Sequence, residues 1–120
     1  MSLLHTDAVD DLLSTLASVE SEDDPVLADM EAHADREEFP TVGREVGQVL
    51  RLCARLTGAT SVFEFGSGFG YSAYWVAPVV GPDGEIVLTE VDADELDQAR
   101  EYFERGGYAS RARFEQGDAV

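Results

Sequence analysis

Residues 61–72 read Ser-Val-Phe-Glu-Phe-Gly-Ser-Gly-Phe-Gly-Tyr-Ser, and no other stretch restricts the fold as much. A short β-rich run (61–65) passes straight into three glycines at two-residue spacing, Gly66, Gly68 and Gly70. Residues 71–80 then form a helical segment with little polar content, as expected of a helix packed on a sheet. Glycines at this junction let the backbone turn tightly and bring a ligand close without Cβ interference. The helix that follows offers unpaired N–H groups at its start. A strand–glycine turn–helix unit of this kind belongs to an α/β architecture.

The rest of the chain extends that unit. Gly81-Pro-Asp-Gly84 is a turn, and residues 85–91 (Glu-Ile-Val-Leu-Thr-Glu-Val) read as a second strand. Asp92 is the expected N-cap of another helix, with Glu95 at N3 as a capping-box partner and Leu96, Ala99 and Phe103 inward. Gly106-Gly107 ends that helix, and residues 112–116 form a third short strand. The βαβαβ order predicts a Rossmann-like parallel sheet, with three strands inside these 120 residues.

N-terminal helices precede it. Val9, Leu12, Leu13, Leu16 and Val19 recur at helical spacing. Asp24-Pro25 is an N-cap followed by an N1 proline, with Val26, Leu27 and Met30 expected on the inner face. Val46, Val49, Leu50, Cys53 and Leu56 form a third stripe closed by Gly58, which makes Cys53 an expected core thiol. His5 and His33, far apart in this region, are expected at the surface; neither a metal pair nor a base is expected of them. Residues 1–40 are thus a helical segment, and residues 41–120 the start of the α/β domain.

Charge narrows the function classes. Eight Arg against 25 acids give a net charge of −17, with no lysine at all. The acids are spread evenly: 13 with four Arg in residues 1–60, and 12 with four Arg in residues 61–120. A chain this acidic has no basic footprint for a nucleic-acid backbone. Its Lys-free acidity suits a halophilic cytoplasm, where self-repulsion is screened to about 3 Å; an Asp/Glu-rich genome is the alternative. No apolar run reaches the ~20 residues of a membrane span, and one cysteine makes neither an internal disulfide nor a Cys-x-x-Cys clamp.

Two acids point to the ligand. Glu90, 20 residues past Gly70 at the end of the second strand, stands where doubly wound folds hold ribose hydroxyls. Glu64, at the end of the first strand, sits badly beside a pyrophosphate. The dinucleotide fingerprint would also need glycine at position 71, which is tyrosine. A cationic nucleoside ligand fits better than NAD, and S-adenosylmethionine carries both a sulfonium and an ammonium.

Glu64-Phe-Gly-Ser-Gly-Phe-Gly70 with Tyr71-Ser72, then Thr89-Glu-Val-Asp92, then Gly117-Asp-Ala119, together resemble the class I S-adenosylmethionine-dependent methyltransferases. The nearest type is the catechol and caffeoyl-CoA O-methyltransferases, and residues 42–50 leading to 56–59 are similar to that family's helix before the first strand. The resemblance covers roughly residues 40–120. It implies that Glu64, Gly66 and Gly68 form the first loop near the donor's methionine portion. Tyr71 and Ser72 would meet the donor's carboxylate, and Thr41 and Val42 would close over it. Glu90 would hold the ribose, Val91 would pack on the adenine, and Asp118 and Ala119 would reach the adenine edge.

The same resemblance implies a small hydroxylated, catechol-like acceptor. It also implies a divalent metal (Mg²⁺), with a nearby lysine, whose ligands come from a fourth and a fifth strand; none is expected within residues 1–120. On this view the chain is the N-terminal, donor-binding half of the domain, with its catalytic residues unassigned. A non-catalytic binding or interaction module and an NAD-dependent oxidoreductase are the competing readings. In the family's strand order the first strand is central, so Val62, Phe63 and Phe65 would here become an apolar edge. Such an edge predicts a marginal monomer or a homodimer paired through it.

Overall fold

The computed structural model describes residues 7–12 and 24–118. Residues 7–12 are helical, with Leu12 exposed; Leu13, Leu16 and Val19 of the expected first stripe, and His5, lie outside the described residues. Helix α1 (Pro25–Arg36) begins as its sequence predicts. The Asp24 carboxylate accepts the N–H groups of Val26 at 3.0 Å and Leu27 at 3.3 Å, and Val26, Leu27 and Met30 are buried.

Helix α2 (Gly43–Thr57) ends at Gly58, which takes the left-handed conformation with φ 62°. Its inward face is not the expected stripe. Gly47, Gln48, Arg51 and Ala54 are buried, while Val46, Leu52, Cys53 and Leu56 face outward. Cys53 is therefore an exposed thiol. The cause is the neighbouring helix: a Cβ at residue 47 would collide with the Trp75 indole, so only glycine lets the helices approach this closely. Arg51 completes the seam by donating from Nε to the Trp75 carbonyl at 2.8 Å and lying over its ring at 4.7 Å.

Beyond α2 the expected alternation is found: β1 (Ser61–Glu64), α3 (Tyr71–Val80), β2 (Glu85–Glu90), α4 (Ala93–Gly106), a 3₁₀ turn (Ala109–Arg111) and β3 (Ala112–Gln116). The strands form one parallel sheet in the order β1-β2-β3, with Val62 opposite Ile86 and Leu88 opposite Phe114. Ile86, Leu88, Phe69, Tyr74, Trp75, Leu96 and Phe103 are almost fully buried, each contributing about 1.5–3 kcal/mol by leaving water. Tyr74 and Trp75, near the start of α3, thus serve packing.

Asp92 caps α4, accepting from the N–H groups of Asp94 at 2.9 Å and Glu95 at 3.3 Å. The reciprocal half of the expected box is absent, because the Asp92 N–H goes to Glu90 Oε2 at 2.9 Å. As expected, β1 is an edge. Phe63 and Phe65 are 52% and 70% exposed, their rings meeting edge-on at 5.0 Å. Because the strands are parallel, Glu64 and Glu90 both come to the carboxyl end of the sheet, beside the starts of α3 and α4.

Candidate functional site

A cleft of about 370 Å³ opens at that end, lined by Phe39, Pro40, Thr41, Val42, Glu64, Phe65, Gly66, Ser67, Tyr71 and Ser72. Six of the residues singled out from the sequence line it: Thr41, Val42, Glu64, Gly66, Tyr71 and Ser72. Gly68, Glu90, Val91 and Asp118 lie outside the lining, and Ala119 lies outside the described residues.

The glycine turn follows from backbone geometry. Gly66, Gly68 and Gly70 have φ of 65°, 55° and 88°, values L-residues rarely adopt. At Gly68 the constraint is double, since a Cβ would stand 2.5 Å from Phe39 Cζ. Residues of β2 then hold the turn. Thr89 Oγ1 donates to the Glu64 carbonyl at 2.7 Å and accepts the Gly66 N–H at 3.3 Å, and the Thr89 carbonyl accepts the Ser67 N–H at 2.6 Å. Glu90 Oε1 accepts the Gly68 N–H at 2.9 Å. Glu90 therefore braces both the turn and the start of α4.

Glu64 is, with Ser67 Oγ, an exception in this hydrogen-bonded region. Its Oε1 is buried without a hydrogen-bond partner, and burial raises the carboxyl from its ordinary 4.5 to about 7, against a smaller opposing pull from Ser67. A carboxyl poised near neutrality at the bottom of a cleft is ready to pair with a cation.

The rim is organised by Glu31. Arg44 Nε donates to its two oxygens at 2.9 and 2.8 Å, and the Tyr71 hydroxyl donates to Oε2 at 2.9 Å. Helices α1, α2 and α3 are thereby joined beside Thr41 and Val42. Burial, more than the Glu31 charge, holds the Tyr71 hydroxyl above its ordinary range.

His33 is buried, 4% exposed, where a surface position was expected. Its ring stacks on Phe69 at 4.4 Å and 13°, and Phe69 meets Phe39 of the cleft at 4.9 Å. Thr89, Phe39 and Ser67 were missed by sequence reading. Only the neighbourhood of Thr89 to Glu90, at the strand end, signalled any of them.

A parallel βαβαβ sheet with a glycine turn, a helix start and an acid at each of two strand ends defines a Rossmann-like unit. The O-methyltransferase family model matches residues 17–120, and the chain belongs to that family. A catechol O-methyltransferase of Mycobacterium tuberculosis is 35% identical over 100 residues, covering 82% of this chain and 46% of the relative. One from Niastella koreensis is 29% identical over 116 residues, covering 95% and 51%. The crystal structure of a Geobacter sulfurreducens methyltransferase superposes with a TM-score of 0.80 at 29% identity, covering 91% of this chain and 57% of that one. The O-methyltransferase TomG of Streptomyces achromogenes, solved with S-adenosylmethionine, gives 0.80 at 26% identity, covering 91% and 50%. The chain spans about half the length of the relatives it matches.

Proposed function

We propose that this chain binds S-adenosylmethionine in the cleft and is the donor-binding half of an O-methyltransferase acting on a small, catechol-like hydroxylated acceptor. The observation that carries the reading is Glu64, whose Oε1 is buried without a hydrogen-bond partner, in the lining of a cleft that a glycine turn and a helix start also border. Such a site favours a ligand with a cationic centre and an anionic end. The family likeness to proteins named catechol O-methyltransferase supports the acceptor class.

When bound, the donor supplies an activated methyl group on sulfur. Glu64 would sit opposite the positive charge of the methionine portion. Gly66 and Gly68 would let the backbone close on the donor, and the start of α3, with Tyr71 and Ser72, would meet its carboxylate. Thr41 and Val42 would cover it. Glu90 would exchange one of its backbone partners for a ribose hydroxyl, with Val91 beside the adenine and Asp118 and Ala119 at its edge. Positioning and charge complementarity are what these residues contribute.

The Mg²⁺ that the resemblance implies is expected to take its ligands from a fourth and a fifth strand, not from residues 1–120. Among the described residues the cleft lining holds one carboxylate and no histidine, so no step is assigned to a metal there. A cytoplasmic setting of high salt is supported by the net charge of −17, and among the described residues no helix is long and apolar enough to cross a membrane. The exposed Phe63–Phe65 edge supports a homodimer for the isolated chain.

Calorimetric titration with S-adenosylmethionine, S-adenosylhomocysteine and NADH tests the proposal. Saturable 1:1 binding of the first two, with none of NADH, is expected. Binding of NADH alone, or of none of the three, overturns it.

A further inference from the structure

His33, Glu37 and Glu95 converge between α1 and α4, outside the cleft lining, with one ligand atom from each lying within 4.8 Å of the other two. His33 and Glu37 are one helical turn apart, and Nε2 already lies 3.0 Å from the Glu37 carboxylate. The other ring nitrogen, Nδ1, is 2.8 Å from the Tyr102 hydroxyl. Glu95 is the residue expected to cap its own helix. Instead one of its oxygens is buried without a hydrogen-bond partner.

We propose that His33 Nε2, Glu37 and Glu95 form a binding site for a divalent transition metal of the Zn²⁺ class, clamping α1 to α4 behind Phe69. Metal-bound histidines donate their second ring N–H to an acceptor, a part the Tyr102 hydroxyl oxygen can take for Nδ1–H when Nε2 binds the ion, and imidazole with carboxylates selects transition metals over Mg²⁺ or Ca²⁺. Glu37 is half exposed at 56%, which gives an ion a path from solvent, while His33 is enclosed. Metal–ligand bonds of about 2.0–2.2 Å place neighbouring tetrahedral ligand atoms about 3.3 Å apart. The His33–Glu37 pair already has that spacing. A closure of at most about 1.5 Å by the widest pair, within reach of a glutamate side chain, brings in the third ligand. Water would fill the fourth position. A bound cation also removes the repulsion of two carboxylates held this close and satisfies the orphaned Glu95 oxygen.

Zn²⁺ titration of the 120-residue chain in excess Mg²⁺, followed by native mass spectrometry and thermal melting, tests the site. One ion per chain and a raised melting temperature are expected. Co²⁺ in its place should give visible absorption of tetrahedral intensity. Glu95→Gln and Glu37→Gln should each weaken binding at least tenfold, and Tyr102→Phe about tenfold through the lost orientation of His33. Glu37 is exposed, so its variant keeps the fold even if Glu95→Gln does not. Absence of saturable 1:1 binding, or equal affinity in wild type and Glu37→Gln, overturns the proposal; the latter would assign the ions to the acidic surface.

Discussion

Glu90 Oε1 accepts the backbone N–H of Gly68 at 2.9 Å, so the acid that ends β2 holds the glycine turn that follows β1. Its second oxygen accepts the Asp92 N–H, also at 2.9 Å. One carboxylate thereby couples the turn to the start of α4. This suits a site in which the same acid later serves a ribose hydroxyl, because both tasks need it at one place.

The first prediction concerns that residue. Glu90→Ala leaves two backbone donors without acceptors, and charge-assisted bonds to a carboxylate are the stronger kind. A loss of about 1–3 kcal/mol of stability is expected in urea unfolding. Glu90→Gln retains an acceptor for Gly68 alone and should fall between. Affinity for S-adenosylhomocysteine should drop more than tenfold in Glu90→Ala. Unchanged affinity would remove Glu90 from the site.

Glu64 should govern a pH dependence. Its carboxyl titrates at about 7 in the fold and near 4.5 when unfolded, because the buried charge is disfavoured. The folded chain therefore holds the extra proton between these values. Stability from this group is fully present below pH 4.5 and lost as pH rises through 7, by roughly 3 kcal/mol. Glu64→Gln should flatten the stability profile across that window. The cationic donor pairs with the ionised form, so its affinity should rise from pH 6 to 8 in wild type and stay level in Glu64→Gln. A flat wild-type profile would refute the role.

Gly66 and Gly68 separate backbone strain from steric exclusion. Both have positive φ, yet a Cβ at Gly66 meets nothing within 4 Å, whereas one at Gly68 meets Phe39. Gly66→Ala should cost about 1 kcal/mol of left-handed strain. Gly68→Ala adds overpacking and should cost about 2 kcal/mol or more. Denaturant unfolding of the two variants reads the difference, and equal costs would mean that Phe39 simply moves aside.

What could be read without coordinates was local. Asp24-Pro25, the glycine turn and Asp92 each act within a few residues, so their chemistry announces helix starts and a tight turn at the observed places. The face of α2 was not legible, because it depends on Trp75, whose indole takes Gly47 and Arg51 and turns Leu56 outward. His33 failed for the same reason. Its burial arises from Phe69 and Tyr102, both distant in sequence. Glu95 shows two physical demands in competition: its spacing suits a cap, but Glu90 has taken the Asp92 N–H and the carboxylate faces α1. In the cleft, Glu64 and the glycines were legible from spacing, and Thr41, Val42, Tyr71 and Ser72 only through the family resemblance; Phe39 reaches it through tertiary packing, and Thr89 braces the glycine turn through the β1–β2 register.

The apolar edge gives the last prediction. Phe63 on β1 and Phe65 just past its end stand exposed, and the outer backbone groups of β1 have no strand beside them in the three-stranded sheet. Association through this edge is opposed by the net charge of −17 on each copy. Screening shortens from about 10 Å at 0.1 M salt to about 3 Å at 1 M, while apolar contact is not weakened by salt. The isolated chain should therefore move from monomer to dimer as salt rises, read by sedimentation velocity across concentrations. Phe65→Lys removes apolar area and adds an edge charge at an exposed position, so it should cost less than about 1 kcal/mol of stability. It should also shift the dimerisation midpoint at least tenfold upward in protein concentration. A wild-type chain that stays monomeric at high salt, or a variant that dimerises equally, would leave the edge without this role.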